Sequence, residues 1–277
     1  SNILSSHFTV KIRRKYQIYI ELNSPGLGES KGFSALMVNA IPNFHFIAGN
    51  QCFPRYLYDE NGNRFEAITD QGLAHFRAAY PGETIGKEDI FYYCYGLLHS
   101  PDYRARYAAN LSKQLPRIPA VKEFADFQAF SEAGRALAHL HINYETVEPY
   151  PATLESTATE PAHYRVEKMR HAKIKQNGKG VKDPATILYN HRVTVKDIPP
   201  EAYRYIVNGK PAIDWVVERQ SIKTDKASGI TNDANDWACE TMNNPRYPLE
   251  LLLRVITVSL ETMRIVDGLP GLDIAKT

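Results

Sequence analysis

Arg170, Lys173, Lys175, Lys179 and Lys182 fall in one short stretch, "RHAKIKQNGKGVK", of a chain whose formal net charge is only +2. Cations at that density suit nucleic-acid phosphates, which lysine and arginine neutralise while releasing counterions. Gln176 and Asn177, in the same stretch, carry amides that can read base edges. Gly178 and Gly180 would let the backbone approach closely. Lys11, Arg13, Arg14 and Lys15 form a second basic group. The bland alternative is a solvated hairpin whose lysines discourage edge pairing.

Other chemistry is sought and mostly not found. "GLGESKGF" has glycines and Lys31 but neither the spacing nor the hydroxyl of a phosphate-binding loop. "NNPR" lacks the second proline and the aromatic ring with which an amino-methyltransferase holds a flipped base. "ESK" and "PD" are far apart and in the reverse of the usual nuclease order. His139 and His141 are two apart on a predicted helix, so they point to different faces and read as structural. The aromatic run "IFYYCYGLL" places Phe91, Tyr95 and Leu98 on one helical face, which favours core packing over base stacking. Catalysis by this chain alone is not expected, and no metal or cofactor is expected in it.

The elements that must position these residues follow from pattern. The chain has 277 residues, 43% hydrophobic and 23% charged, enough to bury a real core. Residues 9–22 alternate, with Val10, Ile12, Tyr16, Ile18, Ile20 and Leu22 on one face, as in a half-buried strand. "FSALMV", "FHFIA" and "RYLYD" read as short strands, and Asn61-Gly62 as a turn. Thr69 reads as a helix cap, Glu88 and Asp89 as a first helical turn, and Ser100-Pro101 as a helix start. Residues 69–143 are therefore expected to form a helical block.

Residues 148–163, rich in Pro, Thr and Ser, read as a linker. Strands are expected near 164–174, 186–190 and 192–196, with 170–182 as a basic loop near the Lys11–Lys15 strand. Helices are expected to start near Pro200, Pro211 and Pro248. In the last, Glu250, Arg254, Thr257, Glu261 and Arg264 make one polar stripe on an otherwise apolar helix. That describes a long buried C-terminal helix and not a membrane span. The fold class expected is α+β, with mainly antiparallel sheet elements and a segregated helical block. One domain over 1–277 is expected, with a strand-rich region over 1–68, a helical region over 69–147 and an α+β region over 148–277 that holds a basic hairpin and C-terminal helices. Three separated cysteines and no signal peptide point to the cytoplasm.

Several stretches together resemble one family. They are "GNQCFPRYLYDENG", "KEDIFYYCYGLLHSPDYRARYAANLSKQLPRIP", "AFSEAGRALAHLHINYETVEPYP", "YRVEKMR", "PEAYRYIVNGKPAIDWVVERQSIKTDKASGITNDANDW" and "RYPLELLLRVITVSLETMRIV". The likeness is to the C-terminal specificity region, or target recognition domain, of the single-polypeptide Type I restriction–modification enzymes, the Type ISP group. It spans roughly residues 32–267, and the first thirty residues match least. Gly86 stands where the family often has a threonine cap.

The resemblance implies sequence-specific recognition of duplex DNA within a larger enzyme. That enzyme would join a nuclease, an ATP-driven translocase, a coupler and an adenine methyltransferase to this chain. S-adenosylmethionine, ATP and magnesium would then belong to other domains, with the methyltransferase and coupler as partners in the same polypeptide. The alternative is a scaffolding module that packs on the methyltransferase and binds little DNA itself. The family does not hand over base-reading residues, so the candidates remain those that charge and loop chemistry select.

Overall fold

The structure is a computed structural model, and it describes residues 17–23, 32–41 and 50–275. Two compact units emerge. One holds the described residues of Ser1–Asn143 with those of Val207–Gly209 and Arg264–Thr277, and the other holds Tyr144–Ile206 and Lys210–Met263.

In the first unit, β1 (Tyr19–Asn23) is the centre of a three-stranded antiparallel sheet between β2 (Ala35–Val38) and β3 (Asn50–Pro54). A half-buried strand was the expectation for this segment, yet every residue of β1 is buried. Ile20 and Leu22 enter the core, while Glu21, on the opposite face, is 0% exposed. Alternation identified the apolar face and gave no sign that the polar face is also covered. β4 (Tyr56–Tyr58) and β5 (Arg64–Glu66) form a hairpin whose turn puts Gly62 at φ +86°. The expected strand "FHFIA" lies outside the described residues, as does the basic group Lys11–Lys15.

The helices follow in the predicted order: α1 (Asp70–Ala79), α2 (Lys87–His99), α3 (Pro101–Arg106), α4 (Ala108–Leu111) and α5 (Phe124–Ile142). Thr69 Oγ1 accepts from Gly72 N at 3.0 Å, and Ser100 Oγ from Tyr103 N at 3.3 Å, so both predicted caps form. At α2 the cap residue is Gly86, and Asp89 compensates by accepting from its backbone N–H at 2.9 Å. Phe91, Tyr93, Tyr95, Leu97 and Leu98 are all buried, because α2 runs through the core of its unit. α2 and α5 cross at two glycines: a Cβ on Gly96 would lie 2.0 Å from Phe130 O, and one on Gly134 would lie 1.9 Å from Tyr92 O. His141 is a core histidine, as expected, with its Nδ1 hydrogen-bonded to the Tyr95 hydroxyl at 2.6 Å. Burial pushes its pKa down to about 3, so it is neutral.

The second unit is built on a four-stranded antiparallel sheet in the order β6-β9-β8-β7. Its strands are β6 (Thr153–Ser156), β7 (Arg170–Gln176), β8 (Lys179–Leu188) and β9 (Val193–Lys196). β6 comes from the segment expected to be a linker. It is short, polar and at the sheet edge, pairing Thr153 with Lys196 through Ser156 with Val193, so its only strand signal is its partner. Next along the chain come β10 (Ile206–Val207) and β11 (Lys210–Pro211), between which Val207–Gly209 are counted with the first unit, then α6 (Ala212–Arg219). β12 (Ile222–Thr224) pairs with β13 (Thr231–Asp233), and α7 (Ala234–Asp236) leads towards α8 (Tyr247–Asp267).

α8 is the long C-terminal helix, and Leu249, Leu252 and Ile256 on it are fully buried. The polar stripe is not simply open to water. Arg254 Nε donates to Val147 O at 3.2 Å, Thr257 Oγ1 donates to Glu148 O at 2.8 Å, and the Tyr247 hydroxyl donates to Glu145. Residues 145–150 are thereby strapped along the stripe. No described helix is long and apolar enough to cross a membrane.

Candidate nucleic-acid interface

The basic stretch, expected as a hairpin with a loop over 170–182, is a hairpin whose two strands run on to a tight turn. β7 runs on to Gln176 and β8 begins at Lys179, leaving Asn177 and Gly178 as the turn. Both have positive φ, +50° and +76°, as a type I′ hairpin turn demands. The right-handed twist of that turn matches the strands, which is why an Asn-Gly pair carries the pairing to the tip. Gly178 thus serves the turn. Gly180 sits opposite Lys175, and a Cβ there would meet only the Lys173 Cδ, at an ordinary contact distance of 3.6 Å.

The pairing breaks its register between His171 and Ala172: His171 faces Ile187, but Ala172 faces Asp183. β8 contacts β9 only at Ile187 and Leu188. Residues 172–183 therefore pair only with each other and extend past the sheet as a two-stranded ribbon.

The root of the ribbon is fixed by Asp214 on α6. His171 Nε2 donates to Asp214 Oδ1 at 2.8 Å, and Lys182 Nζ reaches the same carboxylate at 2.9 and 3.1 Å. Burial alone would raise the Asp214 pKa, but hydrogen bonds and charge from His171 and Lys182 outweigh it and hold the carboxyl below its ordinary value. His171 Nδ1 is buried and has no hydrogen-bond partner among the described residues. The Tyr203 ring lies beside the His171 ring, with centroids 5.8 Å apart, and its hydroxyl donates to Pro184 O at 2.7 Å.

Arg170, Lys173, Lys175, Gln176, Asn177 and Lys179 are exposed. Among the described residues, Arg170, Lys173, Lys175 and Lys179 have no carboxylate partner. Lys182 differs, because its charge is committed to Asp214. A cleft of about 460 Å³ beside the root is lined in part by Lys168, His171, Lys210, Asp214, Glu218 and Lys223. Lys210 pairs there with Glu218, while Lys168 and Lys223 have no ion-pair partner among the described residues. The sequence reading missed His171, Asp214 and Tyr203. Nothing in "PAIDWVVE" marks Asp214, because its partners come from strands far away in sequence.

The family model for the Type ISP C-terminal specificity domain matches residues 7–251. The chain belongs to this family. Three solved structures agree. A nuclease-deletion mutant of the Type ISP restriction–modification enzyme LlaGI, in complex with a DNA substrate mimic, is 37% identical with a TM-score of 0.74, over 94% of this chain and 22% of that one. The ATP-dependent Type ISP enzyme LlaBIII bound to DNA is 36% identical with a TM-score of 0.78, over 94% of this chain and 16% of that one. The DrdV–DNA complex is 30% identical with a TM-score of 0.75, over 93% of this chain and 25% of that one. The specificity domain thus spans a quarter or less of each of these chains. A search of curated proteins found no match.

Proposed function

We propose that this specificity domain recognises a duplex DNA target for a larger restriction–modification enzyme. The observation that carries the reading is the projecting ribbon with its unpaired cations, in a family with two solved relatives captured with DNA and a third with a DNA substrate mimic. Arg170, Lys173, Lys175 and Lys179 would hold phosphates, with Lys168 and Lys223 extending the basic surface at the ribbon root. Gln176 would read a base edge, and Asn177 would sit at the leading turn. Lys182 would act through Asp214, setting the ribbon's angle. Phosphate contacts position a duplex, and base contacts specify it.

The chain itself would be non-catalytic. Its parent would methylate adenine, translocate on DNA and cleave it, using S-adenosylmethionine, ATP and magnesium held by other domains. The chain would present DNA to the methyltransferase and pass the outcome to the coupler.

Duplex binding measured across a salt series tests the reading. Binding should weaken with a log–log slope of about −0.9 per neutralised phosphate. Replacing Lys173, Lys175 and Lys179 together with Ala should lower that slope by up to about three and weaken all sequences alike. Absence of duplex binding at low salt, or a triple variant that binds like the parent, would overturn the proposal in favour of a scaffolding role.

A further inference from the structure

Directly opposed residues of an antiparallel pair share a face. On the ribbon, Lys173 faces Lys182 and Lys175 faces Gly180. Ile174 faces Val181 and Gln176 faces Lys179, on the other side. One face is therefore cationic, and the other combines an apolar pair with an amide and one lysine, with Ala172 and Asp183 opposed at its base, where Asp183 accepts from Ala185 N.

That apolar pair lies open to solvent. Ile174 is 51% exposed and Val181 39%. Neither joins the core of its unit. A cross-strand pair helps any hairpin, but threonines would pair there without presenting apolar surface to water. The surroundings say what covers it. Arg170, Lys173, Lys175 and Lys179 make the ribbon electropositive, so the complementary occupant is polyanionic.

The major groove of DNA admits a two-stranded ribbon, and its floor offers one apolar group, the C5 methyl of thymine. Gln176 is two residues beyond Ile174 on the same face, about 7 Å along the strand, or roughly two base-pair steps. Its amide suits adenine N6 and N7, while Lys179 opposite it, beside the turn, has a stem long enough to reach a phosphate. Lys173 and Lys175, on the far face, have stems long enough to reach the phosphates at the groove rims.

We propose that Ile174 and Val181 form a specificity element that reads a pyrimidine 5-methyl group in the major groove, beside a base contacted by Gln176. This rests on the duplex-binding reading and deepens it, because it assigns the ribbon's groove-facing side.

The test compares random-sequence duplexes containing thymine with the same pool made with deoxyuridine, followed by selection from the thymine pool. The full chain should prefer the thymine pool. In the selected sequence, removing the contacted methyl should weaken binding about fourfold, the equivalent of one buried methyl group. The double variant Ile174→Ser, Val181→Ser, which removes every methyl at both positions, should keep the parent's melting temperature and salt slope but bind thymine and deoxyuridine duplexes equally.

Equal binding of the two pools by the parent would overturn the proposal, as would a double variant that still discriminates. Either result, with a steep salt slope intact, leaves duplex binding standing. Loss of duplex binding altogether would remove both readings.

Discussion

Gly96 and Gly134 pack backbone against backbone where α2 crosses α5, and neither position has room for a methyl group. A Cβ on Gly134 would fall 1.9 Å from Tyr92 O, a rigid main-chain atom that cannot turn aside. Gly134→Ala gains up to about 1 kcal/mol of helix propensity. The clash should outweigh this, for a net loss of about 2 kcal/mol or more. Urea unfolding should show a lower midpoint, and a midpoint at or above the parent's would refute the packing argument.

Glu21 sets a pH dependence with an unusual sign. Its carboxylate oxygens are buried without a hydrogen-bond partner among the described residues. Burial raises its pKa from 4.5 to about 7, with nearby Asn50 moderating the rise. The folded state therefore holds a proton that the unfolded state releases. Stability should fall as pH rises from about 4.5 to about 7, then level off. Glu21→Gln should flatten that slope and stabilise the protein at neutral pH by up to about 3 kcal/mol, at about 1.4 kcal/mol per pKa unit. Denaturant titrations of both proteins across this range would show it.

Asp214→Ala should loosen the ribbon root. Losing the acceptor of charged hydrogen bonds costs about 1–3 kcal/mol. Amide exchange should accelerate across 172–183 more than in the helices of the other unit. The carboxyl's pKa is held below 3.8, so the parent keeps this contribution at neutral pH and loses it as pH falls through the lower, folded value. Lys182 would be released, and the salt slope of duplex binding should steepen by up to about 0.9. An unchanged exchange pattern would show that Asp214 does not hold the root.

Gly178→Val tests the turn apart from the core. Gly178 has φ +76°, and a Cβ there would meet nothing within 4 Å, so the cost is conformational. It should amount to about 1–2 kcal/mol, confined to the ribbon. The melting temperature should barely move, while duplex affinity falls. A large drop in melting temperature would mean that the ribbon supports the core after all.

Local signals were legible in the sequence. Thr69 and Ser100-Pro101 start helices because capping is a matter of a few neighbouring residues. The apolar surface of α8 and its polar stripe were visible for the same reason. The stripe's partners were not, since Val147 and Glu148 reach Arg254 and Thr257 from far along the chain. The basic cluster was found by charge and expected as a hairpin, but how far its strands reach was hidden by lysines that score poorly as strand formers. Asn177-Gly178 was the overlooked clue. The glycine crossing of α2 and α5 was also missed, because a glycine in a helix names no partner. Asp214 shows the general difficulty: its role exists only once two strands and a helix have met.

The register break at His171 and Ala172 has an evolutionary consequence. Beyond it, apart from Lys182, which is tied to Asp214, the ribbon's residues pair only with one another, so substitutions there are judged by what the tip touches and hardly at all by whether the chain folds. Residues 172–183 are thus an exchangeable bit on a fixed shank. Lineages could acquire new targets by rewriting a few alternating positions, while His171, Asp214 and Tyr203 below the break stay the same.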